Sequence, residues 1–332
     1  MTAPWIAGQL RRLLAQRGHA WLLQGPSGLG QYQLALGLAQ AWLCDQPTAE
    51  GACGQCASCH QVEVRAHTDL VVLMPETAML ALAWPLGEKA QQDLDEKKRK
   101  PSREIRVDAM RDALEFAQRT SGRGRGKVML VYPAERMNPV TANALLKTLE
   151  EPPGDMRFVL ASEAAHQLLP TIRSRCLGHA LDWPAAEDAA AWLAEEGVPA
   201  AAAPGLLRAA GGRPEDALRL HQAGVDARNW SQWPKALVRG DIGTLADWGP
   251  AQVVESLQKL CHDLLAVRSG AAPRFFEPAD LPPPASVASL TAWWRSLAET
   301  ARTVEHPFNA GLLLEDLVAR ARAALNSGQS RP

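Results

Sequence analysis

The sequence predicts a parallel α/β domain followed by an all-helical second half, and three observations carry this. Short apolar strand-like runs alternate with helical segments over roughly the first 180 residues. A glycine loop, Gly25-Pro26-Ser27-Gly28-Leu29-Gly30, lies between a buried strand and a helix. After Trp183-Pro184 the strand-like runs stop and alanine-rich helical periodicity takes over.

Residues 6–16 read as an amphipathic helix and 20–24 as a short buried strand. Residues 31–43 place Leu34, Leu38 and Trp42 at helical spacing. A second strand is expected at 70–74, a helix at 108–116 and a third strand at 127–131. Asn138-Pro139 opens a helix through residue 151, because Asn caps free N–H groups and Pro suits the first helical position. Pro152-Pro153 stops it, and 157–161 form a fourth strand. Between 76 and 106 the pattern breaks. The polar stretch 88–102, containing Lys97-Lys98-Arg99-Lys100, reads as an exposed, partly helical insertion. Further helices are expected at 185–196, 199–210, 215–222, 253–267, 286–304 and 309–325, with a Pro-rich stretch at 273–284 between two of them.

The 332 residues suffice for two or three domains. Lys+Arg (35) and Asp+Glu (36) nearly cancel, which excludes a whole-protein electrostatic grip on nucleic acid but leaves room for a local patch. No uncharged apolar run is long enough for a transmembrane helix, and residues 1–12 lack a signal-peptide pattern, so the expected compartment is the cytoplasm.

Cys44, Cys53, Cys56 and Cys59 are spaced C-x8-C-x2-C-x2-C. Close CxxC pairs let a tight turn present two thiolates to one metal, and four thiolates complete a tetrahedral structural zinc site. A redox dithiol would use two cysteines rather than four. His60 and His67 lie nearby as bystanders, with His60 the alternative to Cys44 as a ligand. Cys176 and Cys261 stand alone and are expected to be buried.

The glycine loop has the spacing of a P-loop, whose next residues are Lys and Ser/Thr: the Lys reaches the phosphates and the hydroxyl holds Mg²⁺. Here they are Gln31 and Tyr32. A working site also needs a later strand ending in Asp or Asp-Glu. The 127–131 strand ends in Tyr132-Pro133, and Glu135 beyond it reads as a surface residue. Four losses agree, so no nucleotide chemistry is expected at Gly25, Gly30, Gln31 and Tyr32.

The run Asn143-Ala144-Leu145-Leu146-Lys147-Thr148-Leu149-Glu150-Glu151-Pro152-Pro153, followed by Ser174-Arg175-Cys176, resembles the clamp-loader branch of the AAA+ proteins. The four-cysteine insertion after the first loop helix is similar to bacterial clamp-loader subunits, and the two broken motifs resemble their non-hydrolysing member. The match covers about the first 220 residues; Leu312-Leu313-Leu314-Glu315-Asp316-Leu317 is similar to the family's last helix. The resemblance implies a RecA-like AAA+ domain (1–182, with a zinc module at 44–59 and a charged insertion at about 76–106), a helical lid (183–224) and a helical collar (225–332). It implies a place in a hetero-pentamer within the DNA polymerase III holoenzyme, beside gamma/tau-type motor subunits and a delta subunit. That ring opens a sliding clamp and places it on primed DNA.

In the family, the Arg of Ser-Arg-Cys points into a neighbour's ATP site. Carried over, this makes Arg175 a finger acting in trans; by itself the tripeptide fits a local ion pair equally well. Arg213 lies where motor subunits carry a nucleotide-sensing arginine, and Ser162 near another polar sensor; with no nucleotide expected, Arg213 reads as a surface or interdomain contact. The basic run 119–127 reads as a solvated turn, and 97–100 is flanked by Asp93, Asp95 and Glu96; either could touch a DNA backbone. Two readings compete with an assembly subunit: an ATP-binding motor-type subunit and a zinc-dependent DNA-binding module.

Overall fold

The computed structural model describes residues 3–241, 243–246, 248–304 and 309–326; the ends of the expected first and third domains, at 1–2 and 327–332, lie outside the described residues. The chain divides into two compact units, Met1–Asp188 and Ala189–Pro332.

The first unit contains, in order, α1 (Pro4–Leu14), β1 (Ala20–Gln24), α2 (Gln31–Leu43), α3 (Ala57–Glu63), β2 (Leu70–Leu73), α4 (Glu76–Ala81), α5 (Glu88–Asp95), α6 (Val107–Gln118), β3 (Lys127–Val131), α7 (Pro139–Glu150), β4 (Met156–Ser162), α8 (Pro170–Arg173) and β5 (Leu177–Ala180). All strands are parallel, in the order β2-β3-β4-β1-β5. The central strands are apolar throughout because helices cover both faces of a parallel sheet. On one side Leu22, Met129, Phe158 and Leu160 pack with Met110, Leu145, Leu149 and Ile172.

The structure adds a fifth strand to the four expected. β5 is a largely exposed edge strand, Leu-Gly-His-Ala, so it carries neither a continuous apolar run nor an alternation. The α7 start is as the sequence predicts: Asn138 Oδ1 accepts the Thr141 N–H at 2.9 Å, and Pro139 occupies the first turn. At the other end of the sheet, the buried Lys127 ammonium donates to the carbonyls of Phe116 (2.9 Å), Ala117 and Arg119, satisfying the free C-terminal end of α6. Gly126 is obligatory beside it: its φ is 81° and a Cβ would lie 2.4 Å from the Asp155 carbonyl oxygen.

The 76–106 insertion is helical in two pieces, α4 and α5, and is pinned at its base. The buried Glu76 carboxylate accepts Arg99 Nη2 at 2.7 Å and the Ser102 N–H at 2.8 Å, with Arg106 Nη1 3.6 Å away. Burial alone would raise the Glu76 carboxyl; the Arg99 hydrogen bond, the Ser102 N–H and the guanidinium charges outweigh it and hold it below the ordinary glutamate value. This contribution to stability is therefore full above the ordinary glutamate range and lost as pH falls through the depressed value. Glu76→Gln is expected to cost roughly 1.5–3 kcal/mol, the range for hydrogen bonds to charged groups. Faster hydrogen exchange and proteolysis confined to the insertion would register it; unchanged protection would refute the pin.

The second unit has no strand among its described residues. It comprises α9 (Ala186–Glu195, whose first residues precede the division), α10 (Ala203–Ala209), α11 (Pro214–Gln222), α12 (Ala227–Arg239), α13 (Gly243–Ala246), α14 (Pro250–Arg268), α15 (Val287–Thr303) and α16 (Ala310–Asn326). Helix α12 falls where helical periodicity resumes from Asn229 onward, although Pro234 sits inside it and interrupts the usual signal. Its Trp230 stacks on Phe276 with ring centroids 4.9 Å apart. The fully buried Asp263 accepts the N–H groups of Arg274, Phe275 and Phe276 at 2.7–2.9 Å, fixing the start of the Pro-rich connection before α15.

Candidate functional site

The glycine loop turns from β1 into α2 through Gly30, whose φ of 94° only glycine adopts freely. Gln31 follows, and its amide folds back on the loop: Nε2 donates to the Gly25 carbonyl at 2.8 Å and the Pro26 carbonyl at 2.6 Å. It is 1% exposed. Where a lysine would extend toward a phosphate, the loop is closed on itself.

Tyr32 is buried beside it, and its hydroxyl accepts Trp84 Nε1–H at 2.7 Å. Its ring lies 5.5 Å from that of Tyr132, at the end of β3, whose hydroxyl donates to Glu163 Oε1 at 2.8 Å. In P-loop enzymes the hydroxyl after the Lys and the acid ending this strand meet on Mg²⁺. Here those two positions are two packed phenol rings, which offer no carboxylate to a cation.

Glu135 differs from expectation. It is half-buried rather than on the surface, and it accepts the Ser162 hydroxyl at 2.7 Å and the Glu163 N–H at 3.1 Å. The free N–H beyond the end of β4 and the buried Ser162 hydroxyl both need an acceptor, and Glu135 supplies it. Ser162 is thereby committed within the chain.

Arg175 lies just before β5 and is 31% exposed. Its Nε donates to Glu150 Oε1 at 2.6 Å, its Nη2 to the same oxygen, and its Nη1 to the Thr171 carbonyl at 2.9 Å. The first Glu of Glu-Glu-Pro-Pro thus holds the Arg of Ser-Arg-Cys in a local ion pair. Cys176, expected to be buried, is only half-buried, though its surroundings push the thiol up to about 12; Cys261 is fully buried. In the second unit, Arg213 pairs with Asp216 at 2.9 Å and donates to the Ala210 carbonyl at 2.8 Å, at the start of α11.

The four cysteines meet. Their sulfurs all lie within 4.8 Å of one another, none is in a disulfide, and Cys44 and Cys59 are buried. A tetrahedral metal with bonds of about 2.3 Å to sulfur requires sulfur–sulfur edges of about 3.8 Å. The observed separations are 3.8 Å (Cys44–Cys56), 3.9 Å (Cys53–Cys59) and 3.6 Å (Cys44–Cys59). Backbone N–H groups of Gln46 and Cys53 point at Cys44 Sγ, and those of Asp45 and Cys59 at Cys56 Sγ, at 3.3–3.4 Å. Such donors favour a thiolate: those of Gln55 and Cys56 bring Cys53 down to about 6, whereas burial outweighs them at Cys44 and Cys59 and pushes those thiols up. The residues fit a four-thiolate metal ion. His60 projects into solvent, and His67 is buried with Nδ1 accepting the Asp69 N–H at 3.0 Å, so neither joins the cluster. Asp45 ties the module to the loop before β3: it accepts the Ser58 hydroxyl at 2.8 Å and pairs with Arg123 at 3.1 Å.

A parallel sheet in the order β2-β3-β4-β1-β5, with a glycine loop leading from β1 into α2, is the frame of a P-loop-type α/β nucleotide domain. Residues 8–183 match the family model described as DNA polymerase III, delta subunit. The chain is 39% identical over 254 residues to the DNA polymerase III subunit delta' of Pseudomonas aeruginosa, covering 76% of this chain and 64% of that one. It is 34% identical over 225 residues to the Escherichia coli subunit delta' (66% and 60%) and 32% identical over 159 residues to the E. coli subunit tau (48% and 21%). The chain belongs to the delta-prime family of DNA polymerase III clamp-loader subunits. The matched stretch spans less than two thirds of those relatives' own lengths. No helix among the described residues is long and apolar enough to cross a membrane.

Proposed function

We propose that this chain is a non-hydrolysing clamp-loader subunit that lends Arg175 to the ATP site of a neighbouring subunit. The observation that carries the reading is the Tyr32–Tyr132 pair above a loop plugged by Gln31. The frame of a nucleotide domain is kept while the positions for the phosphate-binding cation and for Mg²⁺ are taken by side chains that serve neither. Such a frame still has a use: it holds one arginine at the end of α8. A guanidinium against a γ-phosphate neutralises charge developing in the transition state.

The proposed partners are gamma/tau-type motor subunits and a delta subunit, acting together on a sliding clamp and primed DNA. Residues 183–224 would form the lid and 225–332 the collar joining the ring. The four cysteines would hold a structural zinc ion; with four protein ligands it keeps no open position for catalysis.

This reading separates from a motor-type subunit in the isolated chain. Titration calorimetry with ATP and Mg²⁺ is expected to show no binding tighter than about 1 mM, near −4 kcal/mol. Micromolar ATP binding or measurable turnover would favour the motor-type alternative.

A further inference from the structure

The basic run 119–127 divides three ways: Lys127 caps α6, Arg123 pairs with Asp45, and Arg125 lines a cavity of about 1000 Å³. The cavity opens at the N-terminal ends of β1, β3 and β4, at the opposite end of the strands from the glycine loop. Arg17 and Arg125, from the connections before β1 and β3, and Arg157, at the start of β4, line it, and Asp155 shares it. Among the described residues none of the three arginines has a carboxylate within ion-pair distance, whereas neighbouring Arg11 is taken by Glu50 at 3.2 Å. Arg157 is half-buried, and its guanidinium carbon lies 5.3 Å from the centroid of the half-buried Trp42 ring, in cation–π range. Residues 47–49, from the loop between Cys44 and Cys53, make one wall, braced by Thr48 and Gly51 exchanging backbone hydrogen bonds at 2.8 and 3.2 Å.

Three guanidiniums against the single Asp155 carboxylate leave the cavity net positive around a half-buried indole, and a further anion would lower that cost. Carboxylates or phosphates would satisfy the charge, but an indole with a guanidinium beside it also rewards a flat ring. Phosphodiester with exposed bases supplies both; duplex hides its base faces and an acidic peptide lacks them. We infer that the Arg17–Arg125–Arg157 cavity binds single-stranded nucleic acid, its phosphates on the three arginines and one base on the Trp42–Arg157 pair. The inference goes beyond the ATP-site role and does not depend on it. The cysteine module, by holding residues 47–49 in place, then shapes one wall of a binding cavity.

The test is fluorescence anisotropy of a short labelled oligothymidylate with the full chain, titrated across about 50–200 mM salt. Three phosphate contacts predict log affinity falling against log salt with a slope of about −2, at roughly −0.7 per contact on a single strand. Arg125→Gln should make that slope shallower by about 0.7. Trp42→Ala should weaken binding roughly 5- to 100-fold with the slope unchanged, and Trp42→Phe should recover much of it. Should Trp42→Ala fail to fold, the exposed Arg17→Gln and Arg125→Gln variants carry the test. Equal affinity for duplex, equal competition by tripolyphosphate or an acidic peptide, or insensitivity to both Trp42→Ala and Arg125→Gln would each overturn the inference.

Discussion

Cys59→Ser is expected to release the metal and unfold the 44–63 region while leaving the sheet intact. The purified wild-type chain should carry one zinc per molecule by elemental analysis, and the variant none. Structural zinc contributes about 10–16 kcal/mol to folding in small zinc-binding peptides. Here α2 and β2 frame the module, so part of that loss is absorbed, and several kcal/mol of local stability should still disappear. The loss should propagate along a defined route. Ser58 and the module's backbone hold Asp45, and Asp45 holds Arg123. Protection of the 119–126 loop should therefore fall together with that of the module. A fully occupied chain whose Cys59→Ser variant keeps both metal and protection would show that the thiols are not the ligands.

Arg175→Ala is expected to give the largest functional loss. An arginine finger contributes a factor of about 10³–10⁵ at the site it serves. Arg175→Lys should not restore it, because an ammonium cannot present two parallel N–H groups to phosphate oxygens. The local pair with Glu150 is no obstacle: the two side chains are 31% and 46% exposed, and such pairs contribute at most about 1 kcal/mol. Glu150→Gln should accordingly leave the complex near wild-type activity, which separates a holding contact from the finger itself.

The legible parts of this molecule are those whose signal is local. The strand–loop–helix around Gly25–Gly30, the Asn138-Pro139 cap and the CxxC spacing each lie within one short contiguous stretch, where turn chemistry and periodicity act. The missed parts depend on distant partners. Strand β5 is defined by pairing with β1 rather than by its own apolar pattern. Glu135 looked like a surface acid until the fold placed Ser162, 27 positions away, against it. Gln31 read as a loss of charge; the structure adds that its amide fills the loop it no longer uses. The arginine cavity is assembled from positions 17, 125 and 157, each of which in sequence is an ordinary loop or strand-start cation. The Arg175 motif was legible as a pattern, but its Glu150 partner was not, since both residues belong to motifs normally read separately.

The most direct test of the central claim is single-turnover ATP hydrolysis by a reconstituted loader with clamp and primed DNA, comparing wild-type chain with Arg175→Ala. The predicted result is a pentamer of unchanged composition in which the neighbouring subunit still binds ATP but loses its fast hydrolytic phase. An intact pentamer with that phase undiminished would contradict the account and reduce Arg175 to a structural partner of Glu150.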